Sequence, residues 1–92
     1  MFTLRHAPGS PETKAFFSAA QELASIPGVQ NFACLRQVSP KNKYQYGLSM
    51  EFADAQTYQQ YNEHPLHTAF IQEWWMENVE EFSEMDFEGL CQ

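Results

Sequence analysis

Cations are scarce in this sequence: five lysines and arginines stand against twelve aspartates and glutamates, a net charge of −7 over 92 residues. Neutralising nucleic-acid phosphates needs clustered Lys and Arg, so no nucleic-acid partner is expected. Long apolar runs are lacking too. No stretch nears the roughly 18 uninterrupted apolar residues of a membrane span, so no membrane partner is expected either. The opening Met1-Phe2-Thr3-Leu4-Arg5-His6 has neither the basic region nor the apolar stretch of a secretory signal. Two cysteines, Cys34 and Cys91, are too few for a disulfide framework, and a reduced, cytoplasmic protein is the expectation. There is no Gly-rich phosphate loop, no Cys-x-x-Cys and no serine in a nucleophile elbow. Cys34, inside an expected strand, reads as a small core residue rather than a nucleophile.

What is present is unevenly spread. Arg5, Lys14, Arg36, Lys41 and Lys43 all precede position 44, and every charged residue after it, from Glu51 to Glu88, is acidic. Such an end is either a solvated flank that aids solubility or a surface that meets Lys41 and Lys43 of a partner chain.

Phe2, Leu4 and His6 alternate with Thr3 and Arg5, the pattern of a short strand. Ser10-Pro11-Glu12 is a helix start, with a hydroxyl cap, proline in the first turn and a carboxylate at the positive dipole end. Phe16, Ala20, Leu23 and Ala24 form the buried side of that helix, Phe17 lies beside them, and Pro27-Gly28 stops it. Val29 to Val38 reads as a strand, with Phe32, Cys34 and Val38 on one side and Val29, Ala33 and Leu35 on the other. Apolar residues on both sides predict that both faces are covered. After the turn Ser39–Lys43, Tyr44 to Phe52 alternates cleanly: Tyr44, Tyr46, Leu48, Met50 and Phe52 share one face, and Gln45, Gly47, Ser49 and Glu51 the other. Asp54 is the expected cap of a helix carrying Tyr58 and Tyr61. Pro65 restarts the helix through Met76, and Val79 to Phe87 reads as a last strand. The resulting β-α-β-β-α-β order is the ferredoxin-like split βαβ pattern of the α+β class, in one domain spanning residues 1–92. Two helices cover only one face of a four-stranded sheet, so a homodimer with the open faces together is expected.

The chemistry-bearing residues concentrate in Tyr58-Gln59-Gln60-Tyr61-Asn62-Glu63-His64-Pro65-Leu66-His67. Proline disfavours the α region at the residue before it and suits a helix start, so His64 should sit at a kink. Beyond it His67, Phe70, Ile71, Trp74 and Trp75 recur at i, i+3, i+4, i+7 and i+8, one apolar stripe that turns His67 inward. His64 and His67 lack a third ligand within sequence reach, so no metal and no cofactor are expected. Tyr61 with His67 supplies a phenol and an imidazole, equipment for removing a proton beside a carbonyl. The alternative is structural: His67 bonds a backbone carbonyl, Tyr61 caps a core edge, and Phe70, Trp74 and Trp75 are core.

Several segments together resemble the stress-responsive A/B barrel domain family: Ile26-Pro27-Gly28-Val29, Phe52 at the end of the third strand, the run from Tyr61 to Phe70, and Asp86-Phe87. The Tyr-x-x-His-Pro-x-His-x-x-Phe run is the most specific part. The resemblance implies a dimeric α+β barrel in which two ferredoxin-like sheets face each other and the last strand reaches toward the partner. It also implies a candidate site, through an enzymatic branch typified by the plant olivetolic acid cyclase, which performs an intramolecular aldol condensation without a cofactor. In that branch the second histidine is the general base and the tyrosine assists, positions matched by His67 and Tyr61. His64 and Phe16 match further positions of the pattern. The family's early histidine on a longer first strand has no counterpart here, since His6 lies at the far end of that strand. The expected function is therefore binding of a small aromatic or polyketide-like molecule between sheet and second helix, with acid/base catalysis by His67 and Tyr61. His64, Phe16, Phe70 and Trp74 are the expected ligand contacts. Gly47 and Ser49 keep one sheet face short and leave room for a ligand. The competing expectations are a structural, stress-protective homodimer and a cofactor-free monooxygenase of the wider α+β barrel superfamily.

Overall fold

The structure, a computed structural model, describes residues 1–89; Cys91 lies outside the described residues. Four strands and two main helices, the second broken into α2 and α3, follow the expected order: β1 (Phe2–Leu4), α1 (Pro11–Gln21), β2 (Gln30–Arg36), β3 (Tyr46–Glu51), α2 (Ala55–Glu63), α3 (Pro65–Phe70) and β4 (Val79–Phe82). A 3-10 turn at Glu22–Ser25 closes α1. A π-helical turn at Ile71–Trp75 carries α3 into a final short turn at Met76–Asn78, two residues past the expected end. The sheet is antiparallel in the order β2-β3-β1-β4, the ferredoxin-like arrangement.

Ser10 caps α1 as its sequence suggests, its Oγ accepting from the Thr13 amide at 3.2 Å, with Pro11 in the first turn. Phe16, Ala20 and Leu23 are buried, but Ala24 is exposed, contrary to expectation. The chain tightens to three residues per turn after Gln21, which rotates Ala24 outward. Gly28 then takes φ +94°, and a Cβ there would overlap the Thr57 Cγ2. The entry to β2 is thereby pressed onto the first turn of α2.

β2 is shorter than expected and lies at the sheet edge. Asn31 adopts φ 51° where the register with β3 slips between Gln30 and Ala33, and its side chain bonds the Glu51 carboxylate. Beyond the slip, Cys34 pairs with Leu48 and Arg36 with Tyr46, while Ala33 and Leu35 stand opposite Ser49 and Gly47 on the other face. That face is bare within one chain. Leu35 on it is 49% exposed. Coverage of both faces of β2 is therefore not achieved by a single protomer, because both main helices lie on the same side. Cys34 is exposed rather than core, although partial burial raises its thiol pKa.

β3 obeys its alternation: Tyr46 is buried and Leu48, Met50 and Phe52 are half-buried against the core. β1 ends at Leu4, so His6 falls in the following turn instead of the strand, and its Nε2 meets Asn78 Oδ1 at 2.8 Å. β4 ends at Phe82, well short of Phe87. Beyond it, Met1 and Ser83 are joined in both directions, each at 2.8 Å. Phe82 and Met85 are exposed, and Phe87 is 88% exposed. Lys43 Nζ meets Glu81 Oε2 at 2.8 Å, so Lys43 of the basic turn already finds the acidic C-terminal half within its own chain.

The core between sheet and helices is aromatic. Phe16, 0% exposed, touches Phe2 and Phe70 at ring-centroid distances of 5.5 and 5.4 Å. Trp75 closes over Phe2 at 5.1 Å and Phe82 at 5.6 Å. Replacing Gly28 by Ala should lower stability by about 1–3 kcal/mol, because the positive φ and the Thr57 contact both penalise a side chain. A thermal melt of Gly28→Ala that matches the wild type would contradict this picture of the β2–α2 junction.

Candidate functional site

The break between α2 and α3 builds the site. His64 has φ −66° and ψ 138°, extended as a residue before proline must be, and Pro65 occupies the first helical position. The His64 imidazole is itself the cap: its Nδ1 accepts from the Leu66 amide at 3.1 Å. His64 thus serves the backbone, while His67 turns the other way. Its Nδ1 lies 3.1 Å from the carbonyl oxygen of Asn62, in the last turn of α2. A carbonyl only accepts, so Nδ1 carries the hydrogen and neutral His67 keeps its Nε2 lone pair unused. With their Nδ1 atoms on separate backbone partners, the two imidazoles do not converge as metal ligands. Among the described residues there is no group of three His, Cys, Asp or Glu side chains able to hold a metal ion.

Tyr61 is 5% exposed and its ring lies 4.6 Å from that of His67. Phe52 at 5.1 Å and Tyr58 at 6.4 Å complete its surroundings. Burial, with smaller contributions from Tyr58 and Glu84, pushes its pKa from 10.0 to about 12. The phenol therefore stays protonated at neutral pH and acts as a hydrogen-bond donor, not a base. Among the described residues its hydroxyl has no hydrogen-bond partner in the protein.

The pair Tyr61–His67 is brought together as the sequence suggests, but His67 is half-buried at a rim rather than sealed in the core. The other expected site residues lie elsewhere. Phe16 is central core, packed on Phe2, Phe17, Phe70 and Trp75. Phe70 and Trp74 border a cleft between the α1 end and α3. That cleft and a second, shallower one at Phe17, Cys34, Leu35, Arg36 and Tyr46 are lined by neither Tyr61 nor His67. Sequence periodicity missed the π turn, which lets Trp75 reach the core while Trp74 stays at the cleft. Its signal was present only as adjacent tryptophans on one stripe. Asn78, also missed, donates from Nδ2 to the Trp74 carbonyl at 2.7 Å and supports that turn.

The model of the stress-responsive A/B barrel domain family matches residues 1–89. The chain belongs to that family. A Dabb family protein of ferredoxin-like fold from Mesorhizobium loti is 48% identical, with 98% of this chain and 91% of that one covered and a TM-score of 0.94. A dimeric protein of unknown function and ferredoxin-like fold from Bacteroides fragilis shares the fold at 21% identity and a TM-score of 0.62, over 87% of this chain and 82% of that one. No curated protein matches the sequence. Among the described residues of this A/B barrel protein, no helix is long and apolar enough to cross a membrane.

Since Tyr61 holds its proton after the unfolded chain has lost its own, its contribution to stability should be constant below pH 10 and fall as pH rises from 10 toward about 12. Ultraviolet titration of the phenols should show one tyrosine ionising late, absent from Tyr61→Phe. If all tyrosines ionise together in the folded protein, the burial assigned to Tyr61 is wrong.

Proposed function

We propose that this A/B barrel protein binds a small aromatic or polyketide-like molecule bearing a carbonyl, and moves a proton beside that carbonyl without a cofactor. One observation carries the reading: a buried phenol with an unpartnered hydroxyl lies against an imidazole whose Nδ1 is engaged and whose Nε2 is not. The phenol, kept neutral by burial, donates to the ligand's carbonyl oxygen and stabilises the negative charge that develops there. The Nε2 of His67 accepts the proton from the adjacent carbon, and the Asn62 carbonyl orients the imidazolium that results. Both residues occupy the positions that the resemblance to the cyclase branch singles out. Phe70, one helical turn beyond His67, and Phe16 behind it are buried core rings that support the start of α3 and are not contacts for this ligand. His64 contributes by fixing the start of α3, and Trp74 borders the neighbouring cleft.

The working unit in this proposal is a homodimer. The sheet face bearing Ala33, Leu35, Gly47 and Ser49 carries no helix, and Met85 and Phe87 extend past β4 exposed. The Bacteroides fragilis protein of the same fold is dimeric. Because Lys43 is already paired with Glu81, association rests on apolar contact and not on the basic turn.

A second reading, a non-catalytic structural homodimer, is favoured by a specific feature: the interior is filled by the protein's own rings, Phe2, Phe16, Phe70 and Trp75. Incubating small aromatic ketones with the protein in D2O separates the two. Deuterium should enter the carbon beside the carbonyl faster with wild type than with His67→Ala or Tyr61→Phe. These variants should melt within a few degrees of wild type, since neither removes a core contact of Phe16 or Trp75. Light scattering on the same samples should give twice the chain mass. Equal exchange in all three proteins would favour the structural reading, and a monomer would remove the proposed assembly.

A further inference from the structure

Serine, threonine, aspartate and asparagine are the usual helix caps, and α1 and α2 follow that rule with Ser10 and Asp54. The helix that carries His67 departs from it. Its cap is the imidazole of His64, whose Nδ1 accepts from the Leu66 amide at 3.1 Å. That choice changes what the cap responds to. A serine hydroxyl keeps its lone pairs at any pH, and the Thr57 amide and hydroxyl hold the Asp54 carboxyl below its usual range. Histidine instead gains its proton roughly between pH 5 and 8. A proton on Nδ1 takes up the lone pair that Leu66 uses. It also sets a positive charge against the N–H groups of a helix start, where a cation is disfavoured. Both effects act in the same direction, and neither touches the other two caps.

The surroundings of His64 do not offset that charge. Among the described residues it has no ion-pair partner. Glu63, the preceding residue at the end of α2, accepts from Gln59 Nε2 at 3.3 Å. Glu22, in the turn after α1 that α3 packs against, and His67 in α3 form no hydrogen bond with it. The ring is half-buried, so solvent protons reach it. The backbone around the cap is shared with the site. The His64 amide donates to the Tyr61 carbonyl and its carbonyl accepts from the Thr68 amide, each at 3.1 Å. The His67 ring is held on the carbonyl of Asn62, two residues before His64.

We infer that His64 is an acid-sensitive latch on the α2–α3 break: its neutral imidazole caps α3 and steadies the seat of His67, and a proton on Nδ1 releases both. His64 is then a positioning residue that loosens the site in acid, a regulatory consequence that rests on the proton-transfer reading above.

Amide hydrogen exchange of Leu66 and Thr68, corrected for intrinsic rates, tests the latch in wild type, His64→Asn and His64→Ala at about pH 7.5 and about pH 5. Asparagine caps without titrating in this range, and alanine does not cap at all. Wild type should match His64→Asn at the higher pH. At the lower one both amides should be about five-fold less protected than in His64→Asn, the factor that loss of an ordinary cap represents. His64→Ala should be poorly protected at both. His6 and His67 are present in all three proteins, so their own titration cancels in the ratios. A ratio of wild type to His64→Asn that does not change with pH would overturn the proposal, and this pair decides alone if His64→Ala does not fold. Loss of protection at Leu66 without Thr68 would overturn the link to the seat of His67. No ligand enters the measurement, so failure of the proton-transfer reading leaves it intact.

Discussion

The peptide bond into Pro65 is the constraint on which the site depends. Proline holds His64 extended, and that single residue ends one helix and starts the next. An unbroken helix would place His67 six residues and well over one turn along from Tyr61, with its imidazole against other side chains of its own helix. The break instead folds α3 back so that His67 reaches the Asn62 carbonyl and lies across the Tyr61 ring. Position, orientation and tautomer of the imidazole therefore all follow from one backbone feature. The cap by His64 makes the feature self-supporting, since the residue forced out of the helix returns its side chain to the helix start.

Around that break the fold is asymmetric. Both main helices pack on one side of the sheet, and the aromatic core sits there. The other side holds short residues of β3 and the Ala33 and Leu35 positions of β2. Gly47 lies beneath Leu35, whose Cβ is 3.8 Å from where a substituent at 47 would stand. The short face is thus partly covered by a neighbouring strand rather than empty. The exposed residues after β4 lie at the edge of the sheet opposite β2.

Much of this was legible in the residues because it is local. Ser10-Pro11, Asp54 and His64-Pro65 are capping and proline signals whose physics acts within a turn, and all three mark real helix starts. The alternation from Tyr44 to Phe52 identified the buried face of β3. The family itself was legible from the Tyr61–Phe70 run. What failed was set by partners distant in sequence. The end of β4 is decided by its pairing with β1, and the exposure of Cys34 by the place of β2 at the sheet edge. Ala24 was misplaced by a change in helix pitch. The π turn was hidden because its effect, splitting Trp74 from Trp75, depends on how the core receives one ring. Within the site, the meeting of Tyr61 and His67 was readable from the proline, whereas the positions of Phe16 and Trp74 relative to that pair were not.

The central claim is that the proline break presents His67 with Nδ1 occupied and Nε2 available beside a neutral phenol. Nitrogen-15 spectra of the imidazole rings in the folded protein near pH 8 report this directly. The account predicts the Nδ1–H tautomer for His67 and the opposite one, Nε2–H, for His64. A His67 ring protonated on Nε2 would contradict it, because the nitrogen proposed to take the proton would already carry one.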